Sequence, residues 1–162
     1  MVPEDILDNW DFYFPDVQFS TLEFYDSVEA ILQEREIPKA EYSRVEFSEY
    51  GSFFDQQRLY LRIQNYPYSF DICAAPYGKG FFVSWWFGED IGLFRRLLCA
   101  LPIIGRFFRR KKEKTYFMLD CESMFMQAIH EAVLDTIDDL SSEKGFRKLT
   151  ELERRYNKFR RR

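Results

Sequence analysis

Glycine, proline and cysteine are scarce in this chain, at 7, 6 and 3 of 162 residues, and histidine occurs once. So little glycine and proline excludes collagen-like repeats and low-complexity linkers. The three cysteines, Cys73, Cys99 and Cys121, leave an odd thiol under any pairing and show no metal-ligand spacing. A disulfide scaffold is therefore not expected, nor is a metal or a cofactor, and free thiols suit a reducing compartment. The opening Met1-Val2-Pro3-Glu4-Asp5 is acidic and leads into no apolar core, so neither a secretory signal nor a transit peptide is predicted. The expected location is cytoplasmic, at the inner face of a membrane if the segment discussed below docks there.

What the chain has in abundance is apolar and aromatic material: 46% of its residues are hydrophobic and 19% aromatic. That is too much for a disordered chain and enough for one packed core. The formal charge of −4 conceals a block pattern. Residues 1–55 carry 3 basic and 14 acidic side chains, 93–114 carry 8 and 1, 115–143 carry none and 7, and 144–162 carry 9 and 2. Two basic blocks in an acidic protein meet either its own acidic surfaces or an external polyanion.

The N-terminal Trp10-Asp11-Phe12-Tyr13-Phe14-Pro15 reads as an arm packed on the domain. Ser20-Thr21-Leu22-Glu23 is a capping box, and Phe24, Tyr25, Val28, Ile31 and Leu32 recur on one helical face, so a helix is predicted before Pro38. From Glu41 to Gly88 the period shortens to two, as in Leu59, Leu61 and Ile63. Turns at Tyr50-Gly51, Asn65-Tyr66-Pro67 and Pro76-Tyr77-Gly78-Lys79-Gly80 divide this stretch into an antiparallel meander of four strands. The last strand, Phe81 to Phe87, is apolar on both faces, so its second face needs a cover from the chain itself, a partner or a ligand.

Thr115-Tyr116-Phe117-Met118-Leu119 is a candidate fifth strand, after which Asp120 would cap a long helix. On that helix Met124, Phe125, Ala128, Ile129, Ala132, Val133, Thr136, Ile137 and Leu140 form the stripe predicted to lie on the sheet. Gln127, His130, Glu131, Asp135 and Asp138 take the opposite side. A short terminal helix is expected to show Leu149, Leu152 and Tyr156 as its seam. The predicted fold is therefore α+β: an N-terminal helix, a meander of four or five strands, a long helix packed on the sheet and a short terminal helix. Residues 1–143 form one domain that includes an amphipathic basic insert at 91–114, and 144–162 are a basic C-terminal helix or tail.

The insert carries most of the functional information. Before Pro102, the residues Leu93, Phe94, Leu97, Leu98 and Leu101 fall on one helical stripe, with Arg95 and Arg96 turned away. After it, Ile103, Ile104, Phe107 and Phe108 repeat the stripe, with Arg106, Arg109, Arg110, Lys111 and Lys112 as the basic side. The longest uncharged stretch, Leu97 to Gly105, is nine residues, whereas a spanning helix needs about 20. Such a pattern lies in the plane of a membrane interface, with rings in the acyl boundary and cations on the head groups. The apolar residues of 91–112 are thus expected to insert and the basic ones to bind an anionic membrane surface or a membrane protein. The competing reading has the stripes closing over the last strand, with the arginines as a solvated rim.

Chemistry is poorly supplied. A nucleophilic cysteine needs a base, and His130 is the one histidine. On one helix Cys121 and His130 would stand on opposite sides, about 13 Å apart, and Cys73 would reach His130 only if the helix turned its polar side inward. His130-Glu131-Ala132-Val133-Leu134 has leucine where a zinc helix needs its second histidine. The carboxylate groups Glu89-Asp90 and Asp135, Asp138 and Asp139 read as solvated charges. No catalytic residue is nominated. A protein-interaction module or homo-oligomer using the aromatic sheet face is the alternative. Behind it stands single-stranded nucleic-acid binding by Tyr60, Arg62, Phe82 and Trp86, which the sequence pI of 5.2 disfavours.

Overall fold

A computed structural model describes residues 5–47, 58–90, 114–155 and 157–158. The elements are β1 (Asp5–Phe14), α1 (Thr21–Glu34), β2 (Glu41–Phe47), β3 (Arg58–Asn65), β4 (Tyr68–Tyr77), β5 (Gly80–Glu89), α2 (Tyr116–Glu143) and β6 (Asn157–Lys158). They build an antiparallel sheet of order β2-β3-β4-β5-β1-β6, in which β6 pairs only with Asp8 and Asn9 of β1. The α+β class and the four-strand meander are as expected. Pro67, after a cis bond, and Gly78, at φ +59°, sit in the two tight turns that reverse the meander.

Three sequence expectations are corrected. Residues 10–14 are not an arm but the inner half of β1, paired with β5 from Trp10↔Trp85 to Phe14↔Phe81. Trp10 and Phe14 thereby reach the core while Asp11 and Tyr13 point to the other face. Residues 115–119 are not a fifth strand, because both neighbours of β5 are already taken by β4 and β1. Thr115 instead caps α2, its hydroxyl accepting from the Met118 N–H at 3.3 Å, so the helix begins well before Asp120. The short terminal helix is absent from the described residues 144–155, which follow a left-handed Gly145 and form a turn at 151–154. There Leu149 is buried and Leu152 exposed, and Tyr156 lies outside the described residues.

Both helices lie on one face of the sheet. That face carries Trp10, Phe14, Leu61, Ile63, Phe70, Ile72, Phe81, Val83, Trp85 and Phe87, which interleave with Phe24 and Val28 of α1 and with Phe125 and Ile129 of α2. Ring contacts run across the layer from Phe24 to Phe81 and from Phe125 to Phe87. The Ser20 hydroxyl caps α1 by accepting from the Glu23 N–H, and Phe24, Tyr25, Val28 and Leu32 are buried as the spacing predicts. The Tyr25 hydroxyl donates to the Leu59 carbonyl and accepts from the Ala74 N–H, which fixes α1 against β3 and β4.

The polar side expected of α2 is only partly polar in its surroundings. His130 and Asp138 are buried because β1 and residues 149–155 pack over them. The Trp85 indole donates to His130 Nδ1 at 3.0 Å, so Nε2 carries the proton and donates to the Arg154 carbonyl at 2.8 Å. Burial lowers the pKa of this imidazole more than its bond to Arg154 raises it. Arg154 pairs with Asp138, and the Trp10 indole donates to the Glu153 carbonyl at 2.7 Å.

Candidate functional site

All fifteen nominated docking residues lie outside the described residues: Leu93, Phe94, Leu97, Leu98, Ile103, Ile104, Phe107, Phe108, Arg95, Arg96, Arg106, Arg109, Arg110, Lys111 and Lys112. What the structure does give is the surroundings of the described residues on either side of them, Asp90 and Lys114. The Asp90 N–H donates to the Pro67 carbonyl at 2.7 Å on the exit side. On the return side Lys114 Nζ lies 2.8 Å from Glu89 Oε2, bonds to Glu122 and sits 5.4 Å from the centre of the Tyr68 ring. Burial disfavours the Lys114 ammonium, but its hydrogen bonds to Glu122 and Glu89 outweigh this and raise its pKa. Asp90 and Lys114 are therefore both held where β5 stops and α2 starts.

At this point the surface is apolar. Tyr116, Phe117, Met118 and Leu119 form the first turn of α2 and are 88%, 76%, 40% and 42% exposed, and Met124, two turns on, is 63% exposed. Met124 belongs to the stripe predicted to face the sheet, but burial begins only at Phe125. Burying one large apolar side chain stabilises a fold by about 1.5–3 kcal/mol, and the domain gains little of this from Tyr116 and Phe117, which stay in water, while Met118 and Leu119 are more than half buried. The turn is nonetheless firmly held. Thr115 caps it, Lys114 pins its approach, and the Tyr68 hydroxyl donates to the Met118 carbonyl at 3.3 Å. Sequence reasoning missed this cluster by assigning 115–119 to a strand. The signal was there, since a threonine cap followed by four consecutive large apolar residues leaves no polar face to turn toward water.

The other nominated groups are spread out. Cys73 lies on the sheet face opposite α1 and α2, beside Tyr60 and Ser84, while His130 packs against Trp85 on the face that carries these helices, so the two are not brought together. Burial also pushes the Cys73 thiol pKa up. Tyr60, Arg62, Phe82 and Trp86 do share the face opposite α1 and α2. Arg62, however, is buried in a bidentate pair with Asp71, at 2.6 and 2.7 Å, which occupies the guanidinium that a phosphate would need. Asp71 is 3% exposed, and burial raises its pKa against the pull of Arg62.

Asp135 pairs with Arg35 and Asp138 with Arg154 beside a cavity of about 530 Å³ between the helices. No group of three or more metal-ligating side chains occurs among the described residues. No described helix is long and apolar enough to cross a membrane. Comparison with protein-family models, with curated proteins and with solved structures found no match.

Proposed function

We propose that this protein binds rather than catalyses, associating peripherally with an anionic membrane surface through residues 91–112. The observation that carries the reading is the amphipathic stripe repeated on both sides of Pro102, with rings along one side and seven Arg and Lys along the other. Lys114, the next described residue after this segment, pairs with Glu89 and Glu122, and the exposed Tyr116 and Phe117 follow it. Several basic residues near an anionic leaflet contribute about 1 kcal/mol each, enough in sum for reversible attachment.

Flotation with phosphatidylcholine vesicles, with and without phosphatidylserine, tests this. Binding is expected only with the anionic lipid, to weaken in high salt, and to be lost in the double variant Phe107→Asp, Phe108→Asp. Equal and negligible flotation with both lipids overturns it. So does a double variant that still floats but unfolds at lower denaturant, since those rings would then belong to the fold. Protein that sediments with native membranes but ignores vesicles would point to a membrane protein as the partner.

A second reading draws on the sheet face opposite α1 and α2, where Phe82 and Trp86 are only partly buried. A soluble interaction module or homo-oligomer using that face would show a concentration-dependent mass without lipid, and Trp86→Ser would abolish it.

A further inference from the structure

We infer that residues 147–155 form an acid-released strap, closed over β1 and α2 while the His130 ring is neutral and let go when that ring takes up a proton. The device is independent of how residues 91–112 bind. The strap has no helix or ladder of its own: it follows the left-handed Gly145 and forms a turn at 151–154. Side-chain contacts hold it to the domain. Leu149 is buried, the Arg154 carbonyl accepts from His130 Nε2 at 2.8 Å, the Arg154 guanidinium pairs with Asp138, and the Glu153 carbonyl accepts from the Trp10 indole at 2.7 Å. Beyond it, β6 pairs only with Asp8 and Asn9.

Within the strap, the Glu153 carboxylate accepts from Arg147 at 2.7 and 2.9 Å and from the Thr150 N–H at 2.7 Å. The Arg147 guanidinium and that N–H hold the Glu153 carboxyl down at about 2, so this knot outlasts acid that titrates a histidine. His130 is the contact that acid reaches first. It is 3% exposed, and the Trp85 indole, which can only donate, lies 3.0 Å from Nδ1. An imidazolium sets a second N–H against that indole. Burial opposes the charge, Glu131 on α2 attracts it and Arg154 of the strap repels it. Asp138 is already paired with Arg154, and β1 and β5 face the ring with the uncharged Trp10 and Trp85.

Water reaches a charged ring only where a cover leaves. Trp85 and Ile129 are fully buried in sheet and helix, so the strap is the cover that opens at least cost. Once uncovered, the ring takes its proton near pH 6.5, whereas the closed one needs lower pH. The open-to-closed ratio therefore rises by up to about tenfold for each pH unit below about 6.5, until the closed ring also protonates.

Solvent exchange of the Trp10 indole N–H, read by NMR on the whole chain and corrected for its intrinsic pH dependence, tests this. Release from the Glu153 carbonyl is expected to speed that exchange by about tenfold between about pH 6.5 and about pH 5.5, while the amides of 129–137 keep their protection. His130→Gln retains an amide for the Arg154 carbonyl but takes no proton, and is expected to exchange equally slowly at both. Unchanged exchange in the parent, or an equal rise along the whole of α2, overturns the strap. So does a rise that persists in His130→Gln. Should that variant not fold, the His130 ring protons of the parent decide: a titration midpoint that differs from the midpoint of indole release overturns the coupling.

Discussion

The two ends of α2 belong to one uninterrupted helix but meet opposite surroundings. From Phe125 onward the helix is built into the protein: Ile129, Ala132, Val133, Leu134 and Ile137 are each no more than 1% exposed. His130 links Trp85 on one side to the Arg154 carbonyl on the other. The first turn has apolar residues of similar size, yet it is fixed by a hydroxyl cap, an ammonium between two carboxylates and a phenol. Burial therefore holds one end of the rod, and polar contacts at its base hold the other in place with its rings uncovered. Buried packing is concentrated in the far end, and exposed apolar surface in the near one.

Substitution at matched aromatic positions sharpens this contrast most. Phe125→Ala should cost about 3–5 kcal/mol in chemical denaturation, whereas Phe117→Ala should stay within about 0.5 kcal/mol of the parent. Equal losses at both positions would erase the distinction. Next in size is Lys114→Met, which leaves Glu89 and Glu122 facing each other half-buried and should cost about 1–3 kcal/mol. Its diagnostic effect is faster amide exchange at 116–119 with little change beyond residue 129, and uniform exchange along the helix would contradict the division.

The third effect depends on pH. Burial depresses the pKa of His130 in the folded state, whereas the unfolded chain takes up its proton near pH 6.5. Folded protein thus binds fewer protons than unfolded protein in that range. The contribution is complete above about pH 6.5 and is lost as pH falls toward the depressed folded value, by up to about 1.4 kcal/mol per pH unit. His130→Gln should flatten this limb of the stability profile, and an unchanged slope would show that other groups cause it.

The parts of the fold with local signatures were readable in the sequence. Ser20 and Glu23 announced α1, and the alternation of Leu59, Leu61 and Ile63 announced β3 and the meander around it. The features that were misread depend on distant partners. Trp10, Phe12 and Phe14 alternate as a strand should, but their pairing with β5 crosses most of the chain, and an aromatic Tyr13 on the other face obscured the period. His130 and Asp138 looked solvated because the residues that cover them, 149–155, show no helical periodicity. Thr115 to Leu119 looked like a strand because aromatic residues favour one, and only occupation of both edges of β5 excludes it. The basic segment 91–112 was legible from composition, while the exposed apolar turn that follows it in sequence required knowing where α2 begins.

The Asp90 N–H on Pro67 and the Lys114 ammonium between Glu89 and Glu122 hold two stems of the chain at a shared spot. Closing a loop over such fixed stems depends weakly on its length, with each doubling costing only about 0.6 kcal/mol. The fixed separation of the two stems beside Pro67, Tyr68 and Glu89 therefore matters more to closure than the length of chain between them.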